Sequence, residues 1–542
     1  MSPGEAVRCA VRPGAYHDSV VLMRLQRSLA ALPGVLDAGV VMATPANREL
    51  LAASGLIPGE ESAAGPHDLL IAVKAENEAA AGEALSRVDA LLQVRRSGDG
   101  EDFRPRGLGL ALRMLPEARW VLISVPGRHA GTLAEEALDL GRNVFLYSDN
   151  VPLEHEVALK RKARERGLLV LGPDCGTAVI GGAGFGFANR VRRGPVGLIG
   201  ASGTGLQAVM SRLHALGSGI SQAIGTGGRD LSEEIGGITA IQALDLLRRD
   251  PETRVIVLVS KPPAPEVAAR LLGIVAAMGK PVVVDFLGAP LPGRRIGNLH
   301  FAASLSEAAE MAVALQDSPT RAGTSPAPTT AKTVGLFSGG TLAYETRLGL
   351  AAILPPDRYQ ILDLGDDEFT VGRLHPMIDQ DLRLRRLRQE AADPQVSLIL
   401  LDVVLGEGAH ADPAGELAPA IEEARSRRPG LDVAAVVIGT DEDPQDLALQ
   451  VQTLERAGAR VFQTVGEMVG YVAERLVTTE SIEGPPVLLE VLQAPVAVNA
   501  GLESFHDSLT AQGVSAVQLE WSPPAQGDER LAGILERMKR LA

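Results

Sequence analysis

The chain has 542 residues and a formal net charge of −15 at pH 7. Binding to a nucleic acid or an anionic membrane would need a basic face, so this charge argues against both kinds of partner. The two cysteines, Cys9 and Cys175, lie far apart, which favours a reducing compartment over a disulfide framework. The N-terminus shows no signal pattern, and no apolar run approaches the ~20 residues that span a bilayer. We therefore expect a cytoplasmic protein.

Residues 1–97 show the alternation of a small β-α-β-β-α module. Its strand and helix patterns, in chain order, cover 6–11, 18–32, 35–42, 68–75 and 78–92. This order predicts an ACT-like or ferredoxin-like module. The polar, Gly- and Arg-rich stretch at 95–106 predicts a linker.

From residue 118 onward the pattern becomes that of a parallel α/β protein. Near-continuous apolar strands separated by helical stretches recur at 120–125, 143–147, 168–171, 196–199, 255–259 and 281–285. This pattern is typical of doubly wound sheets. A Gly-rich bridge at 172–193 joins two such units. A Pro-, Thr- and Ser-rich break at 317–332 predicts a second linker, and further strands follow at 333–337, 396–401, 433–438 and 460–463.

The two large units share a weak internal repeat of strand, small-residue turn and helix. The sequence VGLIGASGTGLQAV begins at Val196 and VGLFSGGTLAYET begins at Val334. We interpret them as two copies of one flavodoxin-like domain. The tail predicts a short strand–helix–strand–helix element that ends with a helix at 528–541.

A glycine turn follows the strand in each copy and opens the next helix. Ser202-Gly203-Thr204-Gly205 and Ser338-Gly339-Gly340-Thr341 would let backbone amides approach an anion, helped by the helix N-terminus. The alternative is a tight turn that needs glycine only for its dihedral angles. Because the arrangement occurs twice, we predict that the two turns hold one phosphate between them.

Titratable side chains cluster after two strands of the second copy, where open α/β sheets place ligands. They are Arg373, His375 and Asp379 in GRLHPMID, and Glu407, His410 and Asp412 in GEGAHADP. A histidine near an aspartate suits an acid–base pair or a metal pair, and a polar surface loop is the alternative. We assign catalysis to Lys261, His375, His410 and Asp379, and we predict no metal site.

Longer stretches carry a resemblance to known families. VLISVPGRHAGTLAEEALDLG, LLVLGPDCGTAVI, GPVGLIGASGTG and AIGTGGRDLSEEIGGITAIQALDLLRRDPETRVIVLV resemble the succinyl-CoA synthetase α subunit. ILDLGDDEFTVGRLHPMID and LILLDVVLGEGAHADP resemble the C-terminal domain of that enzyme's β subunit. With GAYHDSVVLM and ATPANRELL added, nearly the whole chain resembles the FdrA family of synthetase relatives.

The resemblance implies a sequence of α/β domains behind the N-terminal module. A Rossmann-like CoA-binding-type domain would cover 107–190, and ligase-like flavodoxin domains would cover 191–317 and 333–480 around a linker at 318–332. A C-terminal α/β element would complete the chain at 481–542. The resemblance suggests coenzyme A as a cofactor, although the first Gly-rich turn of a CoA-binding domain is missing before Trp120 and no ATP-grasp domain is recognisable.

Departures from the synthetase pattern fall on functional positions. Asn298, in Arg294-Arg295-Ile296-Gly297-Asn298, replaces the histidine that carries phosphate in the synthetases, and an amide cannot form a phosphoramidate. His300 is a candidate substitute two residues on. Lys261 stands where the synthetases have a glutamate that holds this histidine, so it would bind an anion there. The alternative for Lys261 is an exposed loop lysine.

The resemblance also implies substrate contacts. Cys175 matches a synthetase position near the CoA thiol, although a small buried thiol is equally consistent with the sequence. We assign substrate binding to six residues, which are Cys175, Gly227, Gly228, Arg229, Asn298 and Arg373.

The implied function is that of an FdrA-type subunit of an oxamate carbamoyltransferase, which moves a carbamoyl group between oxalurate and phosphate in allantoin catabolism. Its partners would be carbamoyl phosphate or phosphate, a small carboxylate-amide, and separately encoded subunits in a homo-oligomer or hetero-complex. One alternative is an acyl-CoA synthetase completed by a partner subunit. The other is a non-catalytic regulatory subunit.

Overall fold

The computed structural model describes residues 5–13, 19–57, 64–65, 68–93, 103–276, 278–289, 293–317, 332–476 and 484–523. The chain forms two compact units, one from residues 1–140 and 496–542 and the other from residues 141–495. Most of both predicted linkers and the predicted helix at 528–541 lie outside the described residues. Among the described residues, no helix has both the length and the apolar character needed to cross a membrane.

The first unit begins with the small module predicted from the sequence. Its elements are β1 (Ala6–Arg12), α1 (Ser19–Ala30), β2 (Val35–Met42), α2 (Pro45–Ala53), β3 (Leu69–Ala75), α3 (Glu78–Ser86) and α4 (Val88–Gln93). The strands form an antiparallel sheet in the order β1-β3-β2, which confirms the ferredoxin-like prediction. The sequence pattern did not indicate α2, whose first turn is capped by Thr44 and opened by Pro45.

A parallel α/β region follows the module. The first unit continues with α5 (Leu108–Met114), β4 (Trp120–Ile123) and α6 (Gly127–Asp139). All four residues of β4 are buried, as its continuous apolar run predicts. The second unit opens with β5 (Asn143–Leu146), α7 (Leu153–Glu165) and β6 (Val170–Leu171), in which β5 and β6 pair in parallel.

The first ligase-like half of the second unit is built on one large sheet. Its elements are β7 (Thr177–Ile180), β8 (Ala183–Gly186), β9 (Arg193–Gly200), α8 (Gly203–Ala215), β10 (Ile220–Gly225), α9 (Ile238–Arg249), β11 (Val255–Ser260), α10 (Pro265–Ala276), β12 (Val282–Phe286), β13 (Arg295–Ile296), β14 (Leu299–Phe301) and α11 (Leu305–Leu315). The strand order is β13-β14-β12-β11-β9-β10-β7-β8. Its parallel part, β10-β9-β11-β12-β14, has the flavodoxin order 2-1-3-4-5.

The stretch 172–193, interpreted from the sequence as a bridge, contains the β7–β8 hairpin and so extends this sheet. The two strands meet at Gly181 and Gly182, whose φ angles are +57° and +89°. A two-residue hairpin turn needs positive φ at both positions, which glycine adopts without a steric penalty. The Gly-Gly pair was therefore a hairpin signal in the sequence.

The second ligase-like half repeats the same topology. Its elements are β15 (Lys332–Phe337), α12 (Gly340–Ala351), β16 (Tyr359–Asp363), α13 (Asp367–Thr370), α14 (Asp381–Ala392), β17 (Val396–Val404), α15 (Pro413–Arg427), β18 (Asp432–Ile438), α16 (Leu447–Arg456), β19 (Arg460–Phe462) and α17 (Val465–Leu476). The parallel order β16-β15-β17-β18-β19 is again 2-1-3-4-5. The α/β fold class and the duplicated flavodoxin-like domain are thus confirmed.

The C-terminal segment returns to the first unit. It contributes β20 (Val496–Ala500), α18 (Glu503–Ala511) and β21 (Ser515–Leu519). β20 lies between β4 and β21 and pairs in parallel with both. A segment predicted as an element of its own therefore extends a sheet that begins at β4.

Candidate functional site

The Ser202 turn and Lys261 lie at the same edge of the first ligase-like sheet. Neighbouring strands β9 and β11 place Val259 beside Gly200, and the Ala201 amide donates to the Val259 carbonyl at 3.1 Å. The chain leaves these two strands toward opposite sides of the sheet, and ligands of such folds bind at this switch point beyond the carboxyl ends. Lys261 is exposed and forms no ion pair among the described residues.

The Ser202 turn has the features of an anion site. Ser202 is the N-cap of α8, and its Oγ accepts from the Gly205 amide at 3.2 Å. Gly203 faces Thr177, whose Oγ1 would lie 3.1 Å from a Cβ at this position. The positive end of a helix of 13 residues therefore opens at the switch point beside an exposed lysine.

Two loops close together beside this turn. Gly227 has a φ of +87°, and a Cβ there would collide with the Pro173 carbonyl. A Cβ at Gly225 would lie 2.5 Å from Cys175 Sγ, and one at Gly228 would lie 3.5 Å from Asp174 Oδ2. The structure thus brings Cys175, Gly227 and Gly228 together, and at Gly227 the glycine is explained by loop packing.

Cys175 is a buried thiol, the alternative that the sequence left open. It is 2 % exposed, its Sγ donates to the Thr177 carbonyl at 3.6 Å, and burial raises its pKa to about 12. A thiol with this pKa stays protonated at neutral pH and is a poor nucleophile. The expectation of a substrate contact at Cys175 is therefore not supported by its position.

We expect a disulfide reagent such as DTNB to modify one thiol of the native protein at pH 8 and two in denaturant. The reactive thiol should be Cys9, which lies at the surface. Partial burial of its side chain raises the pKa of this thiol. Cys9→Ser should abolish the native reaction, and Cys175→Ser should leave it unchanged. Rapid modification of Cys175 in the native protein would contradict its burial.

Arg229 is held by protein groups. Its Nη2 donates to the Val151 carbonyl and to Glu156 Oε2, both at 2.8 Å. Behind it, the fully buried Lys160 Nζ lies 3.2 Å from Glu156 and 2.6 Å from Asp230. Burial raises the pKa of Glu156, although Lys160 and Arg229 oppose this shift. Because Arg229 is already paired, we assign it to this network and not to a substrate.

Asn298 lies at the opposite edge of the sheet, which corrects its assignment to substrate binding. Asn298 directly precedes β14, which runs parallel to β12, so it lies at the amino ends of the parallel strands. The Ser202 turn follows β9 and therefore lies at their carboxyl ends. The Asn298 Nδ2 donates to the carbonyls of Val275, Met278 and Lys280 at 2.8, 2.9 and 3.0 Å. The Val275 carbonyl belongs to the last turn of α10 and the other two follow the helix, so the amide closes that helix end.

His300, the candidate substitute carrier, is a half-buried residue of β14. Burial and the neighbouring Arg295 lower its pKa to about 4, so its ring is neutral at physiological pH. In register it is the neighbour of Val283, within the sheet rather than at its carboxyl edge. His300 is thus set apart from the Ser202 turn.

The second glycine turn is already occupied by a carboxylate of the protein. The Ser338 amide and Oγ donate to Asp402 Oδ1 at 2.8 and 3.0 Å, and the Gly339 amide donates to Oδ2 at 2.8 Å. Asp402 is fully buried in β17 and pairs with the buried Arg383 at 2.8 Å. The expectation that Ser338 and Gly339 bind phosphate is therefore corrected, because Asp402 takes the anion's place. Gly340 and Thr341 form the exposed first turn of α12.

The histidines of the second half lie near this turn, although each has its own partners. His375 Nδ1 accepts from the Met377 amide at 3.2 Å. His410 Nδ1 accepts from the Asp412 amide at 3.1 Å, and its Nε2 lies 3.0 Å from Glu416 Oε2. The His410 amide also donates to the Met377 carbonyl at 2.8 Å, which brings the two loops together.

Asp379 and Arg373 were also predicted as site residues. The structure places Asp379 at the start of a helix and Arg373 in an exposed loop. Asp379 accepts from the Asp381 amide at 2.9 Å, at the start of α14. Its carboxylate therefore accepts from the first amide of this helix. Arg373 is exposed in the loop before His375.

Sequence reasoning missed Asp402 and Arg383 in the second half and the Lys160–Asp230 pair in the first. Asp402 had a readable signal, since it interrupts the apolar strand LILLDVV, and a charge inside a buried strand must be paired. Lys160 had none, because ALKRKARE reads as an ordinary charged helix face.

Three family models match the chain. They are described as "AllF, heavy metal-associated domain" over residues 4–105, "CoA binding domain" over 191–288 and "CoA-ligase" over 336–470. The CoA-binding match falls on the first ligase-like half, whereas the sequence analysis predicted a CoA-binding-type domain at 107–190.

Partial relatives include ligase α subunits. "Succinate--CoA ligase [ADP-forming] subunit alpha 1" of Archaeoglobus fulgidus is 32 % identical over 33 % of this chain and 61 % of its own length. "Malate--CoA ligase subunit alpha" of Methylorubrum extorquens is 30 % identical over 30 % of this chain and 57 % of its own length. The chain thus spans less than two thirds of each of these subunits.

One relative matches along most of its length. The "Uncharacterized protein YahF" of Escherichia coli is 40 % identical over 492 residues, which are 84 % of this chain and 95 % of YahF. Identity at this level over nearly all of the relative, together with the CoA-ligase-type domains, shows that this chain belongs to the YahF family.

Proposed function

We propose that this chain is an FdrA-type subunit of a cytoplasmic oxamate carbamoyltransferase that works with separately encoded subunits. It would transfer a carbamoyl group between oxalurate and phosphate. The match to the AllF domain and the relationship to CoA ligases support a place among synthetase relatives. The carbamoyl reaction itself is what the resemblance to the FdrA family implies.

One observation carries the proposal. The Ser202 turn, which opens α8, lies at the same sheet edge as Lys261, while the position of the synthetase phosphate carrier holds Asn298 at the opposite edge. A phosphate could therefore bind and react directly without a phosphorylated protein intermediate. Transfer of a carbamoyl group to phosphate requires a bound phosphate that reacts directly in this way.

The proposed step balances without a cofactor. An oxygen of bound hydrogen phosphate attacks the carbamoyl carbon of oxalurate, a new C–O bond forms, and the C–N bond to oxamate breaks. The phosphate proton passes to the departing nitrogen, which leaves carbamoyl phosphate and oxamate. The α8 N-terminus and the Lys261 ammonium would hold the phosphate charge during the step.

An acyl-CoA ligase completed by a partner is the second candidate, and the CoA-binding and CoA-ligase matches favour it. Coenzyme A is the cofactor that this relationship implies. Cys175, the residue expected near its thiol, is buried between two loops and does not fit such a contact. We derive no step through coenzyme A.

The deciding experiment is an assay of the chain purified with the products of its neighbouring genes. We expect oxamate and carbamoyl phosphate from oxalurate and phosphate, with no requirement for ATP or coenzyme A. Formation of an acyl-CoA with ATP, and no oxamate, would establish the ligase candidate instead. A complex that performs neither reaction but is altered by removal of this chain would indicate a regulatory subunit.

Lys261→Ala is expected to weaken use of phosphate by about ten- to hundredfold, because a charge-assisted hydrogen bond contributes about 1.5–3 kcal/mol. Lys261→Glu should be worse, because it repels the dianion. The measurement is kcat/KM for phosphate in the assembled complex. Lys332→Ala removes an exposed lysine at the start of β15 and serves as the matched control. If both Lys261 variants kept wild-type kinetics, Lys261 would be an ordinary surface lysine with no role in phosphate binding.

A further inference from the structure

The strand β1 forms an open edge of the small N-terminal sheet. It pairs with β3 on one side, and no other strand of the described chain pairs with its outer side. Only Ala6 of its seven residues is buried, whereas β3, which lies between β1 and β2, is buried at six of seven positions. A row of backbone N–H and C=O groups of β1 therefore faces away from the sheet, where a further strand can pair with it.

This edge lacks the usual devices that prevent strand pairing. Edge strands are commonly protected by a bulge, a proline or a lysine. β1 pairs with β3 over seven consecutive residues without irregularity, and it contains neither proline nor lysine. The opposite edge strand, β2, has a register shift between Val35 and Asp37. Of the two edges, β1 is thus the regular one that can accept another strand.

The apolar and the charged side chains of β1 lie on opposite faces of the sheet. Val7, Cys9 and Val11 share a face with the residues of β3 that pack under α2. Their strip of this face remains accessible, since Cys9 is exposed and Val11 is 38 % exposed. Arg8 and Arg12 lie on the other face, where each pairs with a carboxylate of α3 or α4, at 2.5 and 2.8 Å. The charges of β1 are therefore already balanced within the module.

We propose that β1 pairs with β1 of a second copy of this chain, antiparallel about a two-fold axis at Cys9. This register pairs all seven residues, places Val7 opposite Val11 of the second copy, and sets each arginine opposite an alanine. With the axis one residue earlier, Arg8 would face its own copy. With the axis one residue later, Arg8 would face Arg12. Like charges directly opposite each other destabilise a strand pair, so the Cys9 register is favoured.

The two-fold axis gives this interface a covalent readout. Directly opposite residues of antiparallel strands have Cα atoms about 4.5–5.5 Å apart, which a disulfide can span. Diamide, which takes up the two thiol hydrogens as the S–S bond forms, should convert the full chain into a dimer on a non-reducing gel. Cys175 is buried and should not contribute. DTNB should still release one thiolate per chain, because the second Cys9 displaces the reagent from the first.

Moving the cysteine controls for random collision. Cys9→Ser should give no covalent dimer but should keep twice the chain mass in sedimentation equilibrium, with reversible dissociation because a seven-residue strand pair is a small interface. Cys9→Ser combined with Leu36→Cys places an exposed thiol on β2, at the other edge, and should give no covalent dimer. Equal cross-linking from this second position would overturn the proposal.

An exchange of charge tests the register. Val11→Lys should weaken the dimer about tenfold, because it places an unpaired ammonium on the edge. Adding Val7→Glu should restore the affinity, since the new carboxylate faces the new ammonium of the second copy. Leu36→Lys, on β2, should change nothing. A wild-type chain that stays monomeric at every concentration, or that cross-links through Cys9 only to a different subunit, would overturn the second copy as the occupant. None of these outcomes depends on carbamoyl transfer.

Discussion

Replacing Lys160 with methionine is expected to lower the free energy of unfolding by about 3–5 kcal/mol, because removing one partner leaves buried charge uncompensated. The Lys160 side chain is fully buried and contacts both Glu156 and Asp230, and its Nζ also donates to the Thr226 carbonyl at 2.9 Å. Asp230 in turn accepts from the amides of Thr239 and Ala240. The loss should therefore loosen the start of α9 as well as α7.

The pH dependence of this loss has a defined sign. Burial already raises the pKa of Glu156, and Lys160 partly opposes the shift, so removing Lys160 raises the pKa further. A carboxyl group with a raised pKa in the folded state stabilises below its unfolded pKa and loses that contribution as pH rises through the folded value. Urea unfolding should thus show a smaller deficit for Lys160→Met at pH 5 than at pH 8. Arg161→Met, at the exposed next position of α7, should change stability little.

Replacing Asp402 with alanine is expected to have an effect of similar size, about 3–5 kcal/mol, through loss of a buried pair. Asp402 accepts from Ser338 and Gly339 and pairs with Arg383, which is 1 % exposed. Without the carboxylate, the Arg383 charge stays buried and two amides at the start of α12 lose their acceptor. The measurement is the midpoint and slope of urea unfolding, with both ligase-like halves present.

Two controls separate charge from packing at Asp402. Asp402→Asn with Arg383→Met removes both charges and keeps an acceptor for the amides, so it should recover a large part of the loss. Asp381→Ala removes an exposed Asp381–Arg385 pair of α14 and should cost about 0–1 kcal/mol. If phosphate bound tightly to Asp402→Ala and restored its stability, the carboxylate would be shown to occupy an anion site.

The architecture was largely predictable because it depends on local periodicity. Apolar strands such as β11 and β17 alternate with amphipathic helices, and this alternation indicates a doubly wound sheet whatever the exact contacts. The Ser202 turn was predictable for the same reason, because a strand, a glycine turn and a helix are neighbours in sequence. Lys261 was placed at the same edge because both segments follow parallel strands.

The partners of each polar group were not predictable. Both glycine turns read alike in the sequence, yet Asp402, far along the chain, accepts from the amides of the second turn. Asn298 matched a functional position in the synthetases, but the chain enters β14 at the amino edge and the side chain closes α10. His375 and the Ser338 carbonyl both pack against Gly365, although they lie far from each other in the sequence.

The order of elements, the two flavodoxin-like halves and the sheet edge predicted to carry the chemistry could therefore be read from the amino-acid sequence. These properties follow from the periodicity of apolar residues and from chain connectivity. Both depend on residues that are neighbours in sequence. Which polar groups at that edge are paired with other protein groups became visible only in the folded chain. Hydrogen-bond partners such as Asp402 and Ser338 come from neighbouring strands that are far apart in sequence, and their pairing depends on angstrom-scale distances that no sequence spacing encodes.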